Sequence, residues 1–248
     1  MSDSVPFHRT IDRSLNYGRH LIRDYLDSIG KGQIRTVVDL GAGKGDDLML
    51  ARDVNPNASL NAIESYRPYQ EVLTSAGIQV HAGNIERDKF PFSDESVDVI
   101  IANQILEHVK EVFWILHEVS RTIAIGGHFI IGVPNLASLH NRVLLAFGCQ
   151  PSAIQNRSAH VRGYTKGDII DIMESCFPGG YELVRFGGSN FYPFPPLMAK
   201  PLAAAFPTMA WGIFLMLRKQ KKYHREFIDY PARKKLETNF YLGGMDEQ

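Results

Sequence analysis

Two cysteines, Cys149 and Cys176, are all that 248 residues contain. So few fit neither a disulfide framework nor a paired metal-ligand pattern, and a reduced, cytoplasmic setting suits both as packing residues. No metal site is expected. Charge of one sign is not in excess either, because 27 Lys and Arg balance 27 Asp and Glu. No net field draws the chain onto polyanions, and no nucleic-acid partner is expected. The start, M-S-D-S-V-P-F-H-R-T, lacks the basic residues and apolar run of a secretory signal. A membrane span needs about 20 consecutive apolar residues. The most apolar late stretch, Ala210–Leu217, is far shorter and contains Gly212, so it predicts a buried strand and no transmembrane segment. Repeats and low-complexity tracts are also missing.

What is present is an alternation of β-rich and helix-like segments over the first 135 residues, the pattern of repeated βαβ units and a parallel sheet. Strands are predicted at Thr36–Leu40, Ser59–Ile63, Ile78–His81, Val97–Ala102 and His128–Val133. Crossover helices are predicted at Asp46–Asp53, Pro68–Ala76 and Lys110–Ile123, the last with Val112, Ile115, Leu116 and Val119 at helical spacing. A helix from Leu15 to Ile29, stopped by Gly30, should cover the sheet edge or the ligand mouth. Beyond Pro134 the pattern changes to an irregular stretch as far as Tyr164, a helix at Lys166–Cys176, a strand near Tyr181–Phe186 and the strand in Ala210–Leu217. Between those strands, Phe191–Phe206 carries Pro193, Pro195, Pro196 and Pro201 among aromatics and reads as an apolar lid or a lipid-facing patch. The short basic run Arg218–Lys222 reads as a solvated strand end.

The strongest local signal is V-V-D-L-G-A-G-K-G at residues 37 to 45, where a strand ends in three alternating glycines and a helix follows. Glycine permits the tight turn and lets a ligand approach the main chain. A dinucleotide loop would read G-x-G-x-x-G. Here Gly45 comes one position early, and Asp46 and Asp47 would receive a pyrophosphate poorly. A ligand carrying a cationic sulfonium and ammonium would tolerate those carboxylates and Asp39. Glu64 ends the second strand, 25 residues after Asp39, where a carboxylate can accept both ribose hydroxyl protons. H-A-G-N-I-E at 81 to 86 ends the next, with the Asn84 amide and the apolar face of Ile85 available to an adenine ring. The fourth is V-D-V-I-I-A-N-Q-I-L-E-H-V at 97 to 109. Each has a plainer reading: turn glycines, a surface acid, a polar residue at a strand end.

In this order the four elements resemble the motifs of class I S-adenosylmethionine-dependent methyltransferases, in particular the small-molecule group with an N-x-x-L-E-H-V phrase after the fourth strand. The resemblance spans residues 35 to 135 and implies an α/β fold: a Rossmann-like, seven-stranded, mostly parallel sheet with an antiparallel last strand. It implies S-adenosyl-L-methionine as cofactor, a loop shaped by Gly41, Gly43 and Gly45 with Ala42 and Asp39, and a ribose held at Glu64 beside Ser65. Asn84 and Ile85 would bracket adenine, and Asn103 and Gln104 would line the methionine end. One domain is then expected over 1–248: an N-terminal helical cap to about 33, a cofactor-binding core over 34–135, and acceptor-side insertions at 136–165 and 188–208. The last helix and strands fall within 166–218 and a tail covers 219–248.

Methyl transfer to a hydroxyl needs in-line alignment and a proton acceptor, and histidine is the usual base near neutral pH. Of nine histidines, His108 follows the fourth strand on the ligand-binding side of the sheet, as base or as packing residue. His140 in P-N-L-A-S-L-H-N-R-V and His160 in S-A-H-V-R-G-Y-T are further candidates. Those phrases resemble a methyltransferase subgroup linked to polysaccharide, lipid or secondary-metabolite pathways, which implies a small-molecule, glycan-type or lipid-linked acceptor. Arg162, with Tyr164, would meet an acidic group on that acceptor, or Arg162 would pin its loop through backbone carbonyls. Tyr17 and Arg19 would close over the cofactor or lie on the surface. The fourth-strand phrase lacks the N-P-P-Y pattern of base methylation. The rival readings are a nicotinamide-dependent oxidoreductase and a methyltransferase-like binder without turnover.

Overall fold

The structure is a computed structural model that describes residues 14–236 and 240–243; the N-terminal decapeptide read above lies outside them. Strands β1 (Thr36–Leu40), β2 (Ser59–Glu64), β3 (Gln79–Ala82), β4 (Val97–Asn103), β5 (Ile123–Pro134), β6 (Tyr181–Ser189) and β7 (Gly212–Lys219) form one sheet. Among the described residues its order is β3-β2-β1-β4-β5-β7-β6. The first five strands are parallel, and β7 runs antiparallel between β5 and β6. The central strands are apolar on both faces because helices cover both, the condition a parallel sheet requires. One core, built on Val38, Ile100, Phe129 and Leu215, faces helices α4 (Val112–Thr122) and α6 (Lys166–Cys176). The other, built on Val37, Ile101 and Phe214, faces α1 (Arg19–Ile29) and α2 (Asp46–Val54). Helix α3 (Arg67–Ser75) adds Leu73 to the second core. Among the described residues no helix is long and apolar enough to cross a membrane.

The helix expected from Leu15 is divided. A 3-10 turn, Ser14–Tyr17, stops at Gly18, whose φ of 52° is left-handed, and α1 begins at Arg19. A Cβ on Gly18 would lie 2.2 Å from the Phe214 ring, so the chain passes too close to β7 for any side chain. The irregular stretch to Tyr164 contains α5 (Leu139–Ala146) and a 3-10 turn, Ser152–Ile154. Helix α5 escapes a periodicity search because it buries only Asn141, while Val143, Leu145 and Phe147 face outward. Helix α7 (Pro196–Ala205) lies within the proline-rich stretch and seats Ala199 and Ala203 against Phe191.

Two expectations about the tail and the thiols are corrected. Lys219 is no solvated residue: it is 1 % exposed, and its Nζ donates to the carbonyls of Ser120 and Ile123 at 2.8 Å and to Glu95 at 3.3 Å. Cys149 is exposed and not a packing residue, whereas Cys176 is buried. Past β7, helix α8 (Glu226–Arg233) buries Phe227, Ile228 and Pro231 against α4 and α6.

Helix α4 meets this tail at His117, whose Nδ1 lies 2.9 Å from the Tyr223 hydroxyl. Burial pushes His117 down to about 4, with the Glu118 carboxylate opposing. The unfolded chain titrates such a group near 6.5, so it binds the proton more readily than the folded one between those values. The stability from neutral His117 is therefore complete above about pH 6.5 and is lost as pH falls towards 4, by roughly 2 kcal/mol after allowance for screening. Calorimetric melts should show Tm falling over that window, and the fall should be shallower in His117→Gln; equal slopes would remove His117 as the cause.

Candidate functional site

The glycine loop leaves β1 and turns into α2 with φ of 65°, 56° and 85° at Gly41, Gly43 and Gly45. The loop is braced from both sides. Gly41 N donates to the Ile63 carbonyl at 2.9 Å, and Gly45 N donates to that of Ala42 at 2.9 Å. Around Gly43 no atom lies within 4 Å of where a Cβ would point, so that part of the loop faces open space. Glu64 closes β2 directly opposite. Its Oε2 accepts from Gly43 N at 2.9 Å and its Oε1 from Tyr66 N at 2.8 Å, which orients the carboxylate and leaves a lone pair on each oxygen. Ser65 follows, exposed.

Carboxyl groups accumulate beneath this loop. Asp39 is buried in β1, and burial, then the charges of Asp47 and Glu64, hold its carboxyl well above the usual range. Asp47 is also raised, by burial, against the lowering effect of Asn103 and Arg19. Arg19 reaches Asp46 at 2.8 Å and Asp47 at 3.2 Å, with its guanidinium 4.6 Å from the centre of the exposed Tyr17 ring. Asn103 Nδ2 donates to Asp47 at 2.7 Å and to the Tyr17 carbonyl at 3.0 Å. The N-terminal turn and α1 are thus tied to the glycine loop. Asn103 Oδ1 and Gln104 Nε2 are buried and find no partner among the described residues. Unpaired buried groups are costly, so together with the acids they make a pocket wall suited to a ligand that brings both cationic and hydrogen-bonding groups.

At the end of β3, Asn84 Oδ1 accepts from Glu86 N at 2.9 Å and Asn84 N donates to Asp88 at 2.6 Å. Ile85 is buried beside Ile63 and Phe90 along a cavity of about 280 Å³. A larger cleft of about 1050 Å³, between α4, α8 and the tail, contains none of the residues selected from sequence.

On the far side of Asn103, a 3-10 turn at Leu106–His108 leads into α4. The rings of His108 and His160 meet edge to face with centroids 4.6 Å apart. His108 Nδ1 faces the Ala159 carbonyl at 3.3 Å and His160 Nδ1 that of Ala153 at 2.8 Å. Burial, then His160, lowers His108, and burial pushes the neighbouring Glu107 up to about 7. His140 is not brought to this pair: its Nδ1 lies 3.1 Å from Ser138 Oγ and its Nε2 2.6 Å from Ser152 Oγ, so both nitrogens are engaged.

Two residues selected for acceptor contact also bond backbone carbonyls. Arg162 donates to the carbonyls of Val109 at 3.3 Å and Lys110 at 2.7 Å, which pins the loop as its plainer reading supposed. Tyr164 is buried, with its hydroxyl 3.4 Å from the Leu106 carbonyl. Glu107, quoted in the fourth-strand phrase without a role, emerges beside His108. The adjacent acid and histidine just past a β-strand were the available signal.

Comparison with known proteins agrees with this architecture. The family model described as a methyltransferase domain matches residues 33–175. A Streptomyces fradiae protein, an uncharacterized 37.1 kDa protein in transposon TN4556, is 30% identical over 123 residues, which is 46% of this chain and 34% of that protein. The chain therefore spans about a third of the curated relative it matches. Among solved structures, an Archaeoglobus fulgidus SAM-dependent methyltransferase shares 14% identity with a TM-score of 0.56, covering 81% of this chain and 94% of its own. One from Aquifex aeolicus shares 17% at a TM-score of 0.55, covering 83% and 91%. The Burkholderia thailandensis 1,6-didemethyltoxoflavin-N1-methyltransferase, with bound 1,6-didemethyltoxoflavin and S-adenosylhomocysteine, shares 13% at a TM-score of 0.55, covering 85% and 80%. The β3-β2-β1-β4-β5-β7-β6 sheet is that of the class I S-adenosylmethionine-dependent methyltransferases, and with more than half its length matched the chain belongs to the methyltransferase-domain family.

Proposed function

We propose that this chain uses S-adenosylmethionine to methylate a hydroxyl on a small-molecule, glycan-type or lipid-linked acceptor. The observation that carries the reading is the Glu64 carboxylate, held by Gly43 N and Tyr66 N against an open glycine loop. When bound, the cofactor supplies an electrophilic methyl group on a cationic sulfur. Glu64 would take the ribose hydroxyls, Asn84 and Ile85 would flank the base, and Asn103 and Gln104 would engage the amino-acid end. Burial and the neighbouring acids make Asp39 and Asp47 resist ionisation; a cationic sulfonium would ease that resistance and a pyrophosphate would add to it, which favours this cofactor over a nicotinamide dinucleotide. Calorimetry on nucleotide-free protein should detect S-adenosylhomocysteine and not NAD; uptake of NAD alone would reverse the reading.

The chain's second task is to place a proton acceptor near the acceptor oxygen. With Nδ1 of His108 and of His160 turned to a carbonyl, each ring keeps its Nε2 lone pair. Alanine at His108 or His160 should leave cofactor affinity within about threefold and lower turnover about 100-fold in at least one variant. His140→Ala should retain turnover, since both of its nitrogens are engaged. Label transfer from methyl-labelled cofactor to extracted small-molecule pools reads this out, and unchanged turnover in both the His108 and His160 variants would defeat the base assignment.

Exposed apolar side chains support an acceptor with a lipid or other apolar portion. Leu197 is 88 % and Phe147 80 % exposed, with Leu145, Met198 and Phe206 also outward on α5, α7 and their ends. The exposed thiol of Cys149 suits a reducing, cytoplasmic setting.

A further inference from the structure

Outside the glycine-loop pocket, Glu107, His108 and His160 each bring one ligand-type atom to within 4.8 Å of the others. We propose that these three residues form a two-histidine, one-carboxylate site for a divalent transition-metal ion.

The argument starts with the imidazoles. A backbone carbonyl can only accept, so the contacts of His108 Nδ1 with Ala159 O and of His160 Nδ1 with Ala153 O place the proton on Nδ1 in both rings. That leaves Nε2 as the lone pair in each, the outer-shell arrangement by which proteins orient metal-binding histidines. Two neutral imidazoles presented in this way cannot satisfy each other, because both offer acceptors.

Glu107 is the second, independent observation. Its side chain is 2 % exposed, and Oε2 has no hydrogen-bond partner among the described residues. The other oxygen, Oε1, stands 3.9 Å from His108 Nε2, too far for a hydrogen bond. A buried carboxylate oxygen without a donor is unstable unless a cation or a proton meets it.

The three groups are also held in place before any ion arrives. Val161 N and Arg162 N both donate to the Glu107 carbonyl, at 2.8 and 3.2 Å, and the Arg162 guanidinium ties the same strap to Val109 and Lys110. The His108 side chain is 38 % exposed, which provides a route from solvent. Two imidazoles favour zinc, iron, copper or nickel over magnesium, calcium or manganese, and three protein ligands leave positions for solvent or a substrate oxygen. Lying just past β4, such an ion would occupy both Nε2 lone pairs, so in the metal-loaded protein it would act as a Lewis acid on the acceptor oxygen in place of an imidazole base, the hydroxyl proton leaving to solvent; that consequence, unlike the site itself, rests on the methyltransferase reading.

The test uses the full chain, stripped with chelator and returned to chelator-free buffer. Titration with Co2+ should give a saturable visible band at one ion per chain, displaced by Zn2+. His108→Ala and His160→Ala should each weaken Co2+ binding about 100-fold or more, while the surface variant His224→Ala should not change it. His160→Ala, on the exposed strap, keeps the test open if Glu107→Gln does not fold. Absence of a saturable band overturns the site, as does binding equally tight in the His108 and His160 variants. S-adenosylhomocysteine affinity is measured on the same samples. Metal uptake without nucleoside uptake supports the site while overturning the methyltransferase reading, and nucleoside uptake without metal overturns the site alone.

Discussion

Glu64→Gln should raise the dissociation constant for S-adenosylhomocysteine about 100-fold while the fold is retained, the melting temperature falling by only the few degrees that one unpaired backbone N–H costs. In the native chain each carboxylate oxygen already accepts one backbone N–H, at 2.9 Å from Gly43 and 2.8 Å from Tyr66, and keeps a lone pair for a sugar hydroxyl. Glutamine replaces one of those oxygens with an NH2 group. In either amide orientation the new donor faces a backbone donor and can no longer accept from the ribose. One charge-assisted hydrogen bond is lost and another is neutralised, together about 3 kcal/mol, which is roughly a hundredfold in affinity. Isothermal titration with the nucleoside, paired with circular dichroism, separates loss of the site from loss of the fold. An affinity within threefold of native in a folded variant would mean that position 64 does not hold the sugar.

The cofactor half of the molecule was legible because its signals are local. A glycine turn, the acid at the end of β2 and the strand ends after β3 and β4 each lie within a few residues of chain, and the apolar runs mark the parallel strands that carry them. The parallel strands read from those runs are observed, and the antiparallel strand that the family resemblance implied is β7, which overlaps the apolar run Ala210–Leu217. What stayed hidden depends on contacts between distant segments. The role left open for Arg19 turns on Asp47, 28 positions away, and that of Tyr17 on Asn103, 86 positions away. His108 and His160 are 52 residues apart and meet only because the strap after α5 folds back over the turn past β4, where Val161 N and Arg162 N bond Glu107. Helix α8 was not foreseen because Pro231 lies within it, a residue that usually ends a helix. Its place is decided by Phe227 and Ile228 packing under α4 and α6, not by propensity.

Lys219 is the sharpest case of a residue whose type predicts the wrong environment, and its removal should cost more stability than that of any other charge in the tail. The four basic residues in Arg218–Lys222 read alike in sequence, yet the strand alternation turns Arg218 outward to Glu182 at 2.7 Å and sends Lys219 inward. There the ammonium caps the carbonyls of Ser120 and Ile123, where α4 runs directly into β5, and meets Glu95. Burial lowers its pKa and the Glu95 charge opposes that shift, so the ion is retained by its partners. Lys219→Ala would leave two buried carbonyls and a half-buried carboxylate without a donor and would open a cavity the length of the aliphatic stem. Breaking such an arrangement from one side costs about 3–5 kcal/mol, equivalent to a fall in Tm of roughly 10 °C for a chain of this size. Lys219→Met fills the space but not the hydrogen bonds and should recover only part of that loss. Lys221→Ala, which removes an ammonium lying 5.0 Å over the Phe177 ring, should cost well under half as much. Thermal melts of the three variants under one buffer decide the matter, and equal losses at 219 and 221 would show that the buried ammonium is not what joins α4 to β5.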